Sequence, residues 1–229
     1  MRQLPLGVQL GVSLRFETFH AGTNAEAVAA LTRLVGGGSR VPVWLFGPPG
    51  AGKSHLLQAG CALAGAEGWT AAYLPLATLK PEGPALLDGL EQLDLVALDD
   101  LEAVTGNADW ERALFTFYNG LAEHRGRLAF AATGAPLALG FRLPDLASRL
   151  AATEVHRLQP LSETEQAEAL RRRAGHRGLE LPEETLSFLT RRAPRDFATL
   201  CRMLDDLDTE SLAAQRRLTI PFVREWLKK

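Results

Sequence analysis

The run Gly47-Pro48-Pro49-Gly50-Ala51-Gly52-Lys53-Ser54 fills the pattern G-x-x-x-x-G-K-[ST] and follows directly on the apolar stretch Val41-Pro42-Val43-Trp44-Leu45-Phe46. The pattern therefore has the strand in front of it that its chemistry requires, and the spacing predicts a helix behind it from Lys53 to Ala66. Glycines at 47, 50 and 52 admit backbone geometries closed to other residues, so that successive N–H groups converge on phosphate oxygens. The helix directs its positive N-terminal end at the same anion. In this arrangement Lys53 reaches the β- and γ-phosphates and the Ser54 hydroxyl ligates Mg²⁺. The plain alternative, a glycine-rich turn with an incidental lysine, does not explain the strand before and the helix after.

With 229 residues, 46% of them hydrophobic, the chain has material for one ample domain or for a main domain and a small one. A net charge of -2 and scattered basic residues give no electrostatic footprint for nucleic acid, so strong direct DNA binding is not expected. Cys61 and Cys201 lie far apart within apolar helical patterns and read as two reduced, packed thiols. That usage fits a reducing cytoplasm. Between Arg2 and Arg15 there is no charge, yet Pro5, Gly7 and Gly11 break any apolar helix, which argues against an export signal. The uncharged stretch Leu128 to Phe141 carries Gly134, Pro136 and Gly140 and is too short to span a bilayer.

Further strand-like runs stand at Thr70 to Leu74, Leu93 to Leu98, Leu128 to Thr133 and Glu154 to Leu158, separated by helical patterns. This alternation predicts an α/β fold, a parallel sheet sandwiched by helices. In the clearest helix Trp110, Leu114, Phe117 and Leu121 form the apolar stripe, with Glu111, Arg112 and Glu123 off it. After Pro160 the pattern is helical only, with helices expected at 162–176, 182–193, 195–208 and 220–228. Ser162 and Glu165 form a capping box, and Pro182 and Pro221 suit first turns. In Arg171-Arg172-Arg173 the placing of Glu168 four residues before Arg172 favours a solvated helix face over an anion patch. The expected division is an N-terminal peptide at 1–15, a nucleotide-binding α/β domain at 16–160 and a small all-α domain at 161–229.

Leu93-Asp94-Leu95-Val96-Ala97-Leu98-Asp99-Asp100 is an apolar strand ending in two acids. With a phosphate-binding loop in the same chain, Asp99 is placed to hold Mg²⁺ through water and Asp100 to orient an attacking water. The competing reading is a strand end whose Asp caps the next helix. His55, just after the loop, is counted with residues 47–54 as part of the nucleotide-binding segment, its side chain reading as helix packing rather than a metal ligand, since the five histidines show no metal-ligand spacing.

Lys53-Ser54-His55-Leu56-Leu57 and Asp99-Asp100 resemble the AAA+ module of the bacterial replication initiator DnaA, in which an all-α lid follows the sheet domain. Three later segments, Leu143-Pro144-Asp145-Leu146-Ala147-Ser148-Arg149-Leu150, Leu158-Gln159-Pro160-Leu161-Ser162 and Ala214 to Val223, more closely resemble the Hda family of DnaA regulatory inactivators. That resemblance implies that Arg149 is an arginine finger acting on nucleotide held by a neighbouring subunit; a surface helix salt bridge is the competing reading, which spacing alone does not exclude. It implies that Arg195 is the lid arginine that contacts the chain's own phosphates. Gln3-Leu4-Pro5-Leu6 resembles the Q-L-x-L peptide by which Hda proteins bind the sliding clamp, the β subunit of DNA polymerase III, with Gln3 hydrogen-bonding and Leu4 and Leu6 filling an apolar groove. Gly7-Val8 departs from the family, which places a further bulky apolar residue there. So does Ala135, which stands where the family commonly has an acidic sensor residue near Thr133.

The resemblance implies an ADP- or ATP-bound, Mg²⁺-dependent regulator of replication initiation. It would stimulate hydrolysis of ATP on DnaA in the presence of DNA-loaded clamp, with weak ATPase activity of its own at most. An autonomous AAA+ ATPase or helicase-loader-like motor is the competing reading, and Ala135 weighs against it. An origin-binding initiator is disfavoured because no helix-turn-helix domain follows the lid. Monomer and homo-oligomer both stay open.

Overall fold

The computed structural model describes residues 14–192, 197–214 and 216–227. They form two compact units that divide between Gln159 and Pro160.

In the first unit the order is α1 (Ala25–Val35), β1 (Val43–Phe46), α2 (Lys53–Ala66), β2 (Ala71–Pro75), a single turn α3 (Leu76–Leu79), β3 (Leu95–Asp99), α4 (Ala108–Glu123), β4 (Arg127–Ala132), α5 (Pro144–Ala151) and β5 (Glu154–Arg157). The strands pair in the order β2-β3-β4-β1-β5, and every pairing is parallel. A parallel sheet covered on both faces needs strands apolar throughout, and β3 is buried at every position. Successive side chains alternate between two cores. Leu45, Ala97 and Ala131 join Leu31, Leu34, Leu56 and Leu57 beneath α1 and α2. Trp44, Val96, Leu98 and Phe130 join Leu114, Phe117, Leu146 and Leu150 beneath α4 and α5. The expected strand at 93–98 starts two residues later, because Asp94 turns to Thr70, accepting hydrogen bonds from its N–H and its hydroxyl, both at 2.8 Å. Asn107 caps α4 by accepting from the N–H groups of Asp109 and Trp110.

The second unit holds α6 (Glu163–His176), α7 (Glu183–Arg192), α8 (Phe197–Ala214) and α9 (Ile220–Trp226). Ser162 and Glu165 make the expected capping box, the N–H of Ser162 donating to Glu165 Oε2 at 2.8 Å. Leu170, Leu186, Leu200 and Leu204 form one cluster, and Leu189, Leu207, Leu218 and Phe222 a second. The third residue of the arginine triplet departs from the expectation of a solvated face. Arg173 is buried and grips Asp205 with Nε at 3.0 Å and Nη2 at 2.8 Å, while Arg171 and Arg172 stay exposed. Helix α8 also runs past its expected end at 208, because Leu207 and Ser211, four residues apart, share the buried face. Among the described residues no helix is long and apolar enough to cross a membrane.

Candidate nucleotide site

The loop between β1 and α2 adopts the conformations that its glycines were expected to supply. Gly50 and Gly52 lie at φ 78° and 94°, and Gly47 at φ 153°. At two of these positions the space is closed as well. A Cβ on Gly47 would sit 2.5 Å from the carbonyl oxygen of Leu158, and one on Gly52 2.6 Å from Cε2 of Phe19. Lys53 opens α2 and is 9% exposed, its ammonium donating to the carbonyls of Gly47 at 2.7 Å and Pro48 at 3.1 Å. The ammonium therefore sits inside the turn of the loop. Pro48, Pro49 and Ser54 are exposed, and Ala51 is buried.

His55 faces the segment ahead of α1. Its Nε2 lies 3.0 Å from the carbonyl of Arg15 and 3.3 Å from Thr18 Oγ1, and its ring meets that of Phe19 edge-on at 5.3 Å. These contacts are packing contacts; the side chain docks residues 15–19 on α2.

Asp99 ends β3 and is 1% exposed. Both of its oxygens are engaged. Tyr73 Oη donates to Oδ2 at 2.7 Å, and the N–H of Asp100 donates to Oδ1 at 2.9 Å. Tyr73 reaches it from β2, where it is in register with Ala97, two residues before Asp99 on the same face. Burial first and the negative charge of Asp99 second raise the Tyr73 hydroxyl far above its ordinary range, against a hydrogen bond from Ser54 that lowers it. Ser54, Tyr73 and Asp99 thus meet at the N-terminus of α2. Asp100 stands in the left-handed region at φ 55°, ψ 46°, a conformation that a short polar side chain tolerates. Burial, then Asp99 and Glu102, push its carboxyl upward, and the Lys53 charge opposes them. Glu102 in turn accepts from the N–H of exposed Thr133 at 3.2 Å, beyond β4 and two residues before Ala135.

This donor set fits a magnesium nucleotide. The loop has glycine geometry where side chains would close the cradle, a buried cation inside it, a helix N-terminus, a hydroxyl and a buried carboxylate. Among the described residues no three His, Cys, Asp or Glu side chains gather into a metal-holding group. A cation bound here would keep most of its ligands as water and phosphate, which is the habit of Mg²⁺.

Arg149 is not part of this cluster. It is exposed on α5, whose Leu146 and Leu150 pack into the core on the sheet face opposite α2. Among the described residues it forms no ion pair. Gln3, Leu4, Leu6 and Arg195 lie outside the described residues.

Two residues of this unit escaped the sequence reading. Tyr73 looked like one more apolar member of its strand. Glu111 is off the apolar stripe of α4 yet only 1% exposed, and its carboxylate accepts the backbone N–H groups of Gly106 at 2.7 Å, Arg142 at 2.8 Å and Leu143 at 2.7 Å. The signal available was weak, namely an acid directly after buried Trp110 in the first turn of a helix.

Residues 163–227 match the family model of the Hda lid domain. The chain is similar in fold to domain III of the replication initiation protein DnaA from Thermotoga maritima, with a TM-score of 0.77 and 21% identity over 95% of this chain and 96% of that one. It is similar also to AMPPCP-bound DnaA from Aquifex aeolicus, with a TM-score of 0.67 and 21% identity over 87% of this chain and 66% of that one. The RuvB Holliday junction branch migration motor of Thermotoga maritima matches with a TM-score of 0.62 and 17% identity, covering 89% of this chain and 67% of that one. The fold is that of DnaA-related AAA+ proteins, and the match to the Hda lid model lies within the helical unit.

Proposed function

We propose, for a chain with the DnaA-type AAA+ fold that ends in an Hda lid domain, that it is a nucleotide-bound negative regulator of replication initiation. Held on the DNA-loaded sliding clamp through Gln3, Leu4 and Leu6, it presents Arg149 to ATP bound on DnaA and stimulates its hydrolysis. The observation that carries this reading is Arg149 itself, exposed on a helix fixed by Leu146 and Leu150 and without an ion pair among the described residues. Asp145 stands four residues before it on α5, at the spacing of a helix ion pair, yet among the described residues the two form none. A rigid guanidinium fork offered to phosphate charge developing in the transition state raises hydrolysis by about 10³ to 10⁵.

The chain's own nucleotide supplies charge and shape that order the module. Lys53 and the loop N–H groups would bind its phosphates and Ser54 and Asp99 would hold its Mg²⁺, with Arg195 assigned to the same phosphates by the resemblance alone. Asp100 and Lys53 keep open a second reading, autonomous ATP hydrolysis, since a carboxylate beside the metal-holding acid is the group that would orient water. Ala135 in place of an acidic sensor argues for slow turnover.

Single-turnover hydrolysis of DnaA-bound ATP, measured with this protein and DNA-loaded clamp, tests the proposal. Stimulation is expected with the parent protein and not with Arg149→Ala or Arg149→Lys, because a point charge cannot replace the planar fork. Full stimulation by a folded Arg149→Ala protein that still binds clamp and nucleotide overturns it. Brisk ATP turnover by the isolated chain, with no effect on DnaA, would establish the second reading.

A further inference from the structure

Helix α5 has eight residues, too few for its own hydrogen bonds to hold it; Leu146 and Leu150 anchor one face in the core, and its direction depends on how its first residues are held. No side chain caps it; its N-cap is Leu143, and the N–H groups of Leu143 and of Arg142 before it run to one oxygen of Glu111. The other oxygen of Glu111 takes the N–H of Gly106, in the turn that leads to the Asn107 cap of α4. One carboxylate thereby ties the start of α4 to the start of α5. Glu111 itself is 1% exposed and the three bonds are part-buried, so an acceptor lost here leaves backbone donors poorly served by water and the loss is costly.

We infer that Glu111 is a positioning residue for Arg149, fixing the loop from which α5 projects the guanidinium toward the partner's nucleotide. The inference rests on the finger reading above. Arg149 is the sixth residue of α5, so a small tilt about the loop at 142–143 swings its side chain, and misplacement by about 1 Å costs up to roughly 10²-fold in rate. The carboxylate of Glu111 is spent on the backbone of Gly106, Arg142 and Leu143, so it acts on the reaction through the placing of Arg149. A glutamine there keeps the size but has one acceptor oxygen, and its amide sets a donor against a backbone donor.

The experiment uses the full chain with DnaA, ATP and DNA-loaded clamp. Glu111→Gln is expected to bind ADP as the parent does, to lower the stimulated rate at saturating protein by roughly ten- to a hundredfold, and to speed hydrogen exchange at the amides of Arg142 and Leu143. In an Arg149→Ala background the same change should alter the residual rate by about twofold at most, since the route through the guanidinium is gone. Should Glu111→Gln fail to fold, Leu143→Pro against Leu143→Ala decides. Both lose the side chain but only proline loses the N–H, and Leu143 at φ -79° accommodates the ring. The proline variant is expected to stimulate more weakly than the alanine variant. Equal rates for that pair, or full stimulation by Glu111→Gln alongside an inactive Arg149→Ala, overturn the inference and leave the finger standing. Full stimulation by Arg149→Ala overturns the reading beneath it.

Discussion

Tyr73 donates a 2.7 Å hydrogen bond from strand β2 to the carboxylate of Asp99 at the end of β3, deep at the N-terminus of the phosphate-loop helix. The phenol holds the carboxylate in one rotamer. Tyr73→Phe should therefore destabilise the fold by about 1.5 to 3 kcal/mol, the worth of a bond to a charged acceptor. It should also weaken ADP binding in the presence of Mg²⁺ and leave it unchanged in EDTA. Calorimetry under the two conditions separates these effects; equal weakening in both would place Tyr73 outside the metal's surroundings.

Lys53→Ala removes the ammonium that donates to the carbonyls of Gly47 and Pro48. A charge-assisted bond to phosphate is worth about 1.5 to 3 kcal/mol, so the loss of one should lower ADP affinity by roughly one to two orders of magnitude. Titration calorimetry on the folded variant is the measurement, and an unchanged dissociation constant would remove this loop from nucleotide binding.

Gly52→Ala combines two penalties, a left-handed φ of 94° and a methyl 2.6 Å from the ring of Phe19. Together they should cost about 2 to 4 kcal/mol. Thermal unfolding should show it as a drop of ~2–4 °C per kcal/mol in a chain of this size. Pairing the change with Phe19→Ala, which opens the space but not the backbone conformation, should recover only the steric share.

Asp94 gives a pH-dependent prediction. Hydrogen bonds from the backbone N–H of Thr70, and next from its hydroxyl, hold the Asp94 carboxyl below its ordinary value of 3.8. A group depressed in the folded state stabilises it above the unfolded value and loses that contribution as pH falls through the folded one. Asp94→Asn should therefore melt lower than the parent near neutrality, and the two melting curves should converge in acid below 3.8. A difference that persists unchanged to low pH would mean that the lost interaction is not with the ionised carboxyl.

Much of the sheet domain could be read from local signals. The loop glycines, Lys53, the acids that end β3 and the α4 stripe announce themselves within a few residues, because each depends on its immediate neighbours in the chain. What stayed hidden depends on partners brought in by the fold. Arg173 reads as solvent-facing within its triplet until Asp205, 32 residues on, is packed beside it. Glu111 meets Arg142 and Leu143 only when α5 returns to α4. Tyr73 gains a polar task only because strand register sets it beside Asp99.

The seating of Phe19 and His55 on the phosphate loop has a mechanical consequence. Phe19 closes the space over Gly52, and His55 meets the carbonyl of Arg15, so the first described turn of the chain and the phosphate cradle share one joint. A shift of Phe19 would be felt directly at the glycine whose left-handed turn shapes the cradle. The 16–18 turn and the phosphate cradle are in this respect a single packed piece, cut from two stretches of sequence more than thirty residues apart.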